Sequence, residues 1–220
     1  MTLSGPRRPA AASGPARQLV VLLHGLGADG TDLIELAGAL APVLPHAAWV
    51  APNAPEPCDM APYGFQWFSL QQRSAATLAA GVDRAAPVLN AFLDAELASH
   101  GLDDRDLFLI GFSQGTMMAL HVGLRRMIAP AAIVGFSGIL VAPERIAAEA
   151  TARPPILLVH GEADEVVPVG FLDAASSVLK AEGLDLEVMR RPGLGHGIDD
   201  VGLAAAARFL QAHLPGGSDT

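Results

Sequence analysis

The chain has 220 residues, of which 51% are hydrophobic, and it carries a formal net charge of −9 at pH 7. This length and apolar content are enough for one domain with a large core, which excludes an intrinsically disordered protein. The acidic balance argues against a general binder of nucleic acid or of anionic membranes, because both need Lys and Arg to neutralise phosphate. Cys58 is the single cysteine, which excludes an internal disulfide and a cysteine-based metal site.

The two ends of the chain are predicted to be tails around one domain. The first 17 residues lack the apolar segment that an export signal needs. The apolar run Leu19–Leu23 is far too short to cross a bilayer. We therefore expect a loose N-terminal tail over residues 1–17, a single domain over 18–214, a C-terminal tail over 215–220, no stable membrane insertion and a cytoplasmic location.

Short apolar runs alternate with longer helical stretches along this domain. The runs predicted to be strands are Gln18–Leu23, Ala47–Ala51, Leu107–Gly111, Ala132–Phe136, Ile156–His160 and Leu186–Arg190. Helices are predicted at about 31–43, 75–99, 114–128, 143–151, 169–182 and 199–213. Strands that are apolar throughout indicate a sheet covered on both faces. The alternation therefore predicts a doubly wound, mainly parallel α/β fold, in which ligands bind beyond the carboxyl ends of the strands.

The loop after the first strand, His24–Gly30, contains three glycines. One interpretation is a tight turn before a helix capped by Thr31 or Asp32. The other is a loop whose Leu26 amide faces a developing anion. A nucleotide-phosphate site is excluded, because the spacing is not that of a dinucleotide-binding loop and no GxxxxGK[ST] sequence exists in the chain.

Gly111-Phe-Ser113-Gln-Gly115 matches the GxSxG pattern between a predicted strand and a predicted helix. A serine on such a sharp turn is exposed as a nucleophile, and only small residues fit two positions before and after it. Chance predicts about 0.1 matches in a chain of this composition, so the strand–turn–helix context makes the motif specific. Gly-Phe-Ser recurs at Ser137, but Ile139 replaces the second glycine, which favours a structural or pocket-lining role.

Two further loops complete a predicted catalytic set. Asp164 follows the fifth strand, with Glu162 and Glu165 as the nearest competitors for an acidic role, and His196 lies among three glycines after the sixth. An Asp in such a loop is often only a solvated acid or a helix cap. The chain order of Ser113, Asp164 and His196 is nevertheless the order of the serine triad in α/β-hydrolases. No HxH, HExxH or His/Asp cluster indicates a metal, and no cofactor is expected.

Together these motifs resemble the bacterial phospholipase/carboxylesterase family, which is related to the acyl-protein thioesterases. The resemblance covers about residues 18–213 and rests on the segments that begin at His24, Gly111, His160 and Gly193. It implies a compact, lidless α/β-hydrolase that acts on carboxylic esters or thioesters. The residues that it implies are Ser113, Asp164 and His196 as the triad and the amides of Leu26 and Gln114 as the oxyanion hole.

The sequence departs from the family pattern at two positions. Ser69 stands where many relatives carry an Asp after an aromatic pair, and Thr116 stands where Gly or Ala is common. Both changes are expected to alter the rim of the site. The Gln66-Trp67-Phe68 segment itself resembles the aromatic loop that the family places near the site.

The connection over residues 138–155 must hold a helix, which leaves no length for a covering lid. We therefore expect an open, shallow groove for a small or linear acyl ester. The sequence leaves the oligomeric state open, with a homodimer as one alternative. The candidates for the walls of this groove are Phe65, Trp67, Phe68, Leu70 and Val166. For the aromatic segment, ordinary core packing is the alternative.

The residues by themselves leave two other functions open. One is a non-catalytic, hydrolase-like binding protein, and the other is a dienelactone hydrolase or peptidase of the same fold. The intact Ser, Asp and His positions favour an enzyme. The sequence does not distinguish oxygen esters, thioesters and lysophospholipids as substrates.

Overall fold

A seven-stranded sheet, parallel except for one edge strand, forms the middle of the molecule in this computed structural model, which describes residues 3–215. The strands in chain order are β1 (Arg7–Arg8), β2 (Gln18–Leu23), β3 (Ala47–Val50), β4 (Glu56–Pro57), β5 (Phe65–Gln66), β6 (Leu107–Phe112), β7 (Ala132–Phe136), β8 (Ile156–Gly161) and β9 (Leu186–Arg191). The spatial order is β1-β3-β2-β6-β7-β8-β9, and β4 pairs with β5 in a separate two-stranded ribbon. The predicted doubly wound, mainly parallel fold is confirmed.

Helices cover both faces of the sheet. The helices are α1 (Gly30–Ile34), α2 (Leu36–Leu40), α3 (Ala75–His100), α4 (Gln114–Gly123), α5 (Ile146–Glu149), α6 (Gly170–Ala181) and α7 (Asp200–Ala212). Two apolar clusters fill the space between sheet and helices, one on each face. This explains why the central strands are apolar throughout, since side chains on both sides are buried. No helix within residues 3–215 is long and apolar enough to span a membrane.

The predicted helix over 114–128 is wrong at its end. Helix α4 stops at Gly123, and Met127, which continues the helical spacing of apolar residues, is 91% exposed. The predicted helix over 31–43 is two short helices, and the stretch over 143–151 holds a single 3₁₀ turn followed by the four residues of α5. Periodicity therefore located the helices, but it did not predict where α4 ends or where the stretches over 31–43 and 143–151 break.

The prediction of a loose tail over residues 1–17 is wrong where the structure describes it. Strand β1 pairs antiparallel with β3, and Leu3 is buried in the core. The carbonyl oxygens of Ser4 and Pro6 accept hydrogen bonds from the amides of Asn53 and Ala51. The Pro- and Gly-rich composition suggested a free segment, but backbone hydrogen bonding to a sheet edge does not depend on side-chain type. Residues 216–220 of the predicted C-terminal tail lie outside the described residues.

The turn between β6 and α4 requires an unusually close approach of backbone to backbone. Ser113 sits at this turn with φ 54° and ψ −115°, a conformation that non-glycine residues rarely adopt. A Cβ atom on Gly115 would lie 1.8 Å from the Leu23 carbonyl oxygen of β2, and one on Gly111 would lie 2.5 Å from the Gly115 backbone. The two glycines therefore allow α4 to start directly against the sheet.

Replacing Gly115 by Ala should destabilise the fold by about 2 kcal/mol or more, because the added methyl group overlaps fixed backbone atoms. Gly170→Ala is the matched control, since a Cβ atom there meets nothing within 4 Å. We expect the control to be as stable as the parent chain or more stable. Urea denaturation measures both variants, and equal midpoints for the two would contradict the argument.

Helix α4 also carries a buried histidine in a charged cluster. His121 is 5% exposed, and its Nε2 lies 3.4 Å from Asp83 Oδ1. Burial is the main cause that lowers the pKa of His121 to about 4, and the positive charge of the nearby Arg125 lowers it further.

The stability of the protein should therefore fall as the pH drops below neutral. The pKa of His121 is about 4 in the folded chain and about 6.5 when the chain unfolds, so the unfolded state binds the proton first. This one group should remove about 2 kcal/mol of unfolding free energy between about pH 7 and about pH 5. Urea titrations of the parent chain and of His121→Gln at both pH values measure this loss.

Between these two pH values, the unfolding free energy of His121→Gln should fall by about 2 kcal/mol less than that of the parent chain. His100→Gln, which replaces an exposed histidine, is the control and should behave as the parent chain does. A His121→Gln variant with the full acid sensitivity of the parent chain would show that another group is responsible.

Candidate active site

Ser113 lies where the sheet order brings several strand ends together. Strands β2, β6, β7, β8 and β9 are parallel, so the loops that follow them meet at one edge of the sheet. Ser113 is the residue between β6 and α4, and its amide donates a hydrogen bond to the Phe136 carbonyl oxygen over 2.8 Å. Ser113 is 9% exposed, and it lines a pocket of about 550 Å³.

Asp164 and His196 are hydrogen bonded to each other. His196 Nδ1 lies 2.8 Å from Asp164 Oδ2, although 32 residues separate the two in sequence. The other carboxylate oxygen of Asp164 accepts hydrogen bonds from the amides of Val166 and Val167, at 2.9 and 2.8 Å. Because a carboxylate only accepts, the Nδ1 atom of His196 is the donor and its Nε2 atom is left available.

The environment of Asp164 holds it in its charged form. Burial alone would raise the pKa of Asp164, but the hydrogen bonds from the Val167 amide and from His196 outweigh this effect, so the pKa lies below its ordinary value. His160 Nε2 is a further neighbour, 3.4 Å from Oδ2, and it hydrogen bonds the Val167 carbonyl oxygen at 2.7 Å. His160 is therefore a hydrogen-bonding residue of this loop.

His196 belongs to the same pocket lining as Ser113. No hydrogen bond joins their two side chains among the described residues. Such bonds are often long in ligand-free enzymes and tighten when substrate binds. The imidazole also packs against Phe112, the residue before Ser113, with ring centroids 4.9 Å apart and the ring planes tilted by 47°. His196 is thus held by a hydrogen bond to Asp164 and by packing against the residue before Ser113.

A buried polar network positions the glycine loop after β2. His24 is fully buried, and its Nε2 accepts a hydrogen bond from the Ala54 amide while its Nδ1 bonds the Gly25 carbonyl oxygen. These partners require a neutral ring with its proton on Nδ1, and burial, the largest cause, lowers the pKa of His24. Trp67 Nε1 donates to the His24 carbonyl oxygen over 3.0 Å.

The Gln114 side chain connects this network to the start of α4. It accepts from the Trp67 amide at 2.9 Å and donates to the Phe68 carbonyl oxygen at 2.7 Å. Gln114 is completely buried. The sequence indicated a role for the Gln114 amide only, and nothing in the motif revealed that its side chain holds the aromatic segment in place.

The amide hydrogens of Leu26 and Gln114 have no backbone acceptor within residues 3–215. Gln114 is the first residue of α4, where an amide has no partner inside the helix. Leu26 lines the same pocket as Ser113. Two unpaired amides beside a serine hydroxyl can stabilise negative charge that develops on a bound carbonyl oxygen.

The pocket has a volume of about 550 Å³ and an almost wholly apolar lining. Of the predicted wall residues, Leu70 and Val166 line it. Trp67 and Phe68 do not, because both are buried in the core, and Phe65 lies in β5 outside the lining. The aromatic segment therefore belongs to the core next to the site and not to the pocket lining.

The expected shallow groove is also wrong. Residues of the segment 139–143, after β7, and of helix α6 form walls that enclose a pocket. Those walls include Ile139, Leu140, Val141, Phe171 and Val178. The sequence offered one signal for them, the amphipathic pattern of the predicted helix over 169–182, but did not indicate which face meets the site.

The two departures from the family pattern lie outside the lining of this pocket. Thr116 is buried, and its hydroxyl is 2.8 Å from the carbonyl oxygens of both Gly111 and Phe136. Ser69 Oγ accepts a hydrogen bond from the Gln71 amide. The expectation that they alter the rim of the site is therefore not met. Thr116 instead ties α4 to the ends of β6 and β7.

This chain is similar to known proteins over most of its length. The family model of Phospholipase/Carboxylesterase matches residues 9–214. Esterase YpfH of Escherichia coli is 30% identical over 201 residues, covering 91% of this chain and 85% of that protein. Acyl-protein thioesterase 1 of Schizosaccharomyces pombe is 32% identical over 209 residues, covering 87% and 89%.

Among solved structures, that of esterase PE8 shares 45% of its residues with this chain and superposes with a TM-score of 0.93, covering 97% of this chain and 100% of that one. The chain therefore belongs to the phospholipase/carboxylesterase family of α/β-hydrolases.

Proposed function

We propose that this protein hydrolyses carboxylic esters with Ser113 as nucleophile, His196 as general base and acid, and Asp164 as the residue that orients His196. The observation that carries the proposal is the hydrogen bond between His196 Nδ1 and the buried Asp164 carboxylate, at a pocket that Ser113 also lines. Membership of a family of esterases supports the reaction class.

In the first half of the reaction, the Ser113 oxygen forms a bond to the acyl carbon while His196 Nε2 takes the hydroxyl proton. The carbonyl oxygen becomes an anion that the Leu26 and Gln114 amides stabilise. Each such donor contributes about 3–4 kcal/mol to lowering the barrier. When the bond to the leaving group breaks, His196 returns its proton to the departing alcohol or thiol.

In the second half, water replaces the leaving group. His196 takes one proton from water as the oxygen attacks the acyl-enzyme, and returns it to Ser113 as the acid is released. The ionised Asp164 stabilises the imidazolium that forms twice in each cycle. Because the chemistry at the acyl carbon is the same, oxygen esters, thioesters and lysophospholipids all remain substrates of this proposal. The apolar pocket favours an uncharged hydrocarbon chain next to the carbonyl group.

The direct test is covalent labelling of the serine. A fluorophosphonate probe should modify Ser113, and mass spectrometry of a proteolytic digest should locate the adduct there. Ser113→Ala should abolish both labelling and the burst of p-nitrophenol from a short-chain ester. Ser137→Ala is the matched control, because Ser137 is buried and also has a positive φ of 49° but does not line the pocket.

Labelling at Ser137, or no labelling and no burst from the parent chain, would overturn the proposal. The second outcome is the one that a non-catalytic binding protein predicts.

Asp164→Asn should keep the fold but lower kcat by as much as about 10⁴-fold, because an amide can donate to Nδ1 and so favour the wrong tautomer of His196. Glu162→Gln and Glu165→Gln should have much smaller effects, since both side chains are exposed. Hydrolysis of one short ester by the three variants, after their thermal stabilities are shown to be equal, measures the difference. Near-normal activity of Asp164→Asn beside a collapse in either Glu variant would reject Asp164 as the triad acid.

A further inference from the structure

The lining of the active-site pocket contains one cationic side chain and no carboxylate. Of its polar side chains, Ser113 and His196 have roles in the proposed reaction, and Arg73 has none. Nearly all the other lining residues are apolar or glycine. A guanidinium in such a lining is unexpected in a chain whose net charge is −9, because acidic groups outnumber basic ones on the rest of the molecule.

Arg73 differs from most arginines of the protein in having no acidic partner. Arg7, Arg126 and Arg145, for example, each form an ion pair with a carboxylate. Within residues 3–215 the single hydrogen bond of the Arg73 guanidinium is from Nε to the Leu70 carbonyl oxygen, at 3.3 Å. A guanidinium has five N–H donors, so four of those of Arg73 are free for a ligand.

The backbone that carries Arg73 is held in place. Ser74 is the N-cap of α3, and its side chain accepts a hydrogen bond from the Thr77 amide. The Thr77 hydroxyl donates to the Gln72 carbonyl oxygen on the other side of Arg73, at 3.0 Å. A fixed backbone and the bond to Leu70 restrict where the guanidinium can reach.

We propose that Arg73 selects substrates that carry an anionic group, a carboxylate or a phosphate, separated from the ester carbonyl by an apolar segment. This inference rests on the proposed function, because it names the substrate class of the same pocket. A guanidinium binds both anions through paired N–H donors. The apolar lining between the reacting residues and Arg73 accommodates the hydrocarbon part, and the pocket contains no carboxylate that would repel the anion.

The test compares matched neutral and anionic esters. p-Nitrophenyl hexanoate and the mono-p-nitrophenyl ester of adipic acid differ by a terminal carboxylate on the acyl side. Methyl 4-acetoxybenzoate and 4-acetoxybenzoate differ by a carboxylate on the leaving group. The pair in which the anionic ester gives the higher kcat/KM shows which end of the substrate lies near Arg73. A response of either pair supports the proposal.

Arg73→Gln should lower the anionic-to-neutral ratio of kcat/KM by about tenfold for the responding pair, the effect of losing one charge-assisted interaction that water partly screens. Arg73→Lys should restore part of the ratio. Raising the salt from about 20 mM to about 500 mM should reduce the preference of the parent enzyme, because screening weakens an exposed ion pair. Arg84→Gln is the matched control: Arg84 is exposed, lies outside the pocket lining, and its loss changes the net charge equally.

An unchanged ratio in Arg73→Gln for both pairs, or the same drop in Arg84→Gln, would overturn the inference. Arg73 would then only cover apolar surface with its hydrocarbon stem. Hydrolysis of the neutral esters tests the proposed function separately, so the two failures are distinguishable. If the parent chain hydrolyses neither ester, calorimetry can compare the binding of monomethyl adipate and methyl hexanoate without turnover. The two proteins for this comparison are Ser113→Ala and the double variant Ser113→Ala, Arg73→Gln. An equal preference for the anionic ligand in both proteins rejects the inference.

Discussion

The close contact between the start of helix α4 and the end of strand β2 is the constraint on which the site depends. Gly115 brings the helix backbone so near to the Leu23 carbonyl oxygen that no side chain fits between them. This approach forces Ser113 into a strained conformation at the sheet edge. Thr116, bonded to Gly111 and Phe136, holds the same turn from the other side. A helix that began farther from the sheet would not place Ser113 beside the loop that carries His196.

Buried polar groups then set the shape of the remaining site. Gln114, His24 and Trp67 form hydrogen bonds that join three segments distant in sequence. A buried polar group without partners costs about 1–3 kcal/mol, so each member of this network depends on the others being in place. Leu26, whose amide has no backbone acceptor among the described residues, follows His24 by two positions and lines the pocket. Packing in this region thus determines the geometry of the proposed oxyanion hole.

Charge is distributed unevenly in this acidic protein. Asp164 stays ionised inside the molecule because two backbone amides and His196 surround its oxygens. Most surface arginines are neutralised by carboxylates, whereas Arg73 remains unpaired at the pocket. The pocket therefore combines an apolar lining with a guanidinium that has no carboxylate partner among the described residues.

The sequence by itself determined the order of strands and helices and the positions of the loops that build the site. Apolar runs between helical patterns located all six central strands to within one residue at either end. Spacing also predicted that Ser113, Asp164 and His196 would meet, and Asp164 and His196 are indeed hydrogen bonded at a pocket that Ser113 lines. Their catalytic roles stay a prediction. These features depend on local periodicity and on the rule that parallel strands end at one edge.

Only the tertiary structure decided which side chains line the pocket and which support it. Phe68 is core because Gly81 of α3 leaves room for its ring, and α3 lies well beyond it in sequence. His121 is buried among charges supplied by three other segments, and residues 3–8 are ordered because they hydrogen bond to a strand 40 residues away. The burial of a side chain depends on neighbours that are distant along the chain, and composition and periodicity carry no information about them.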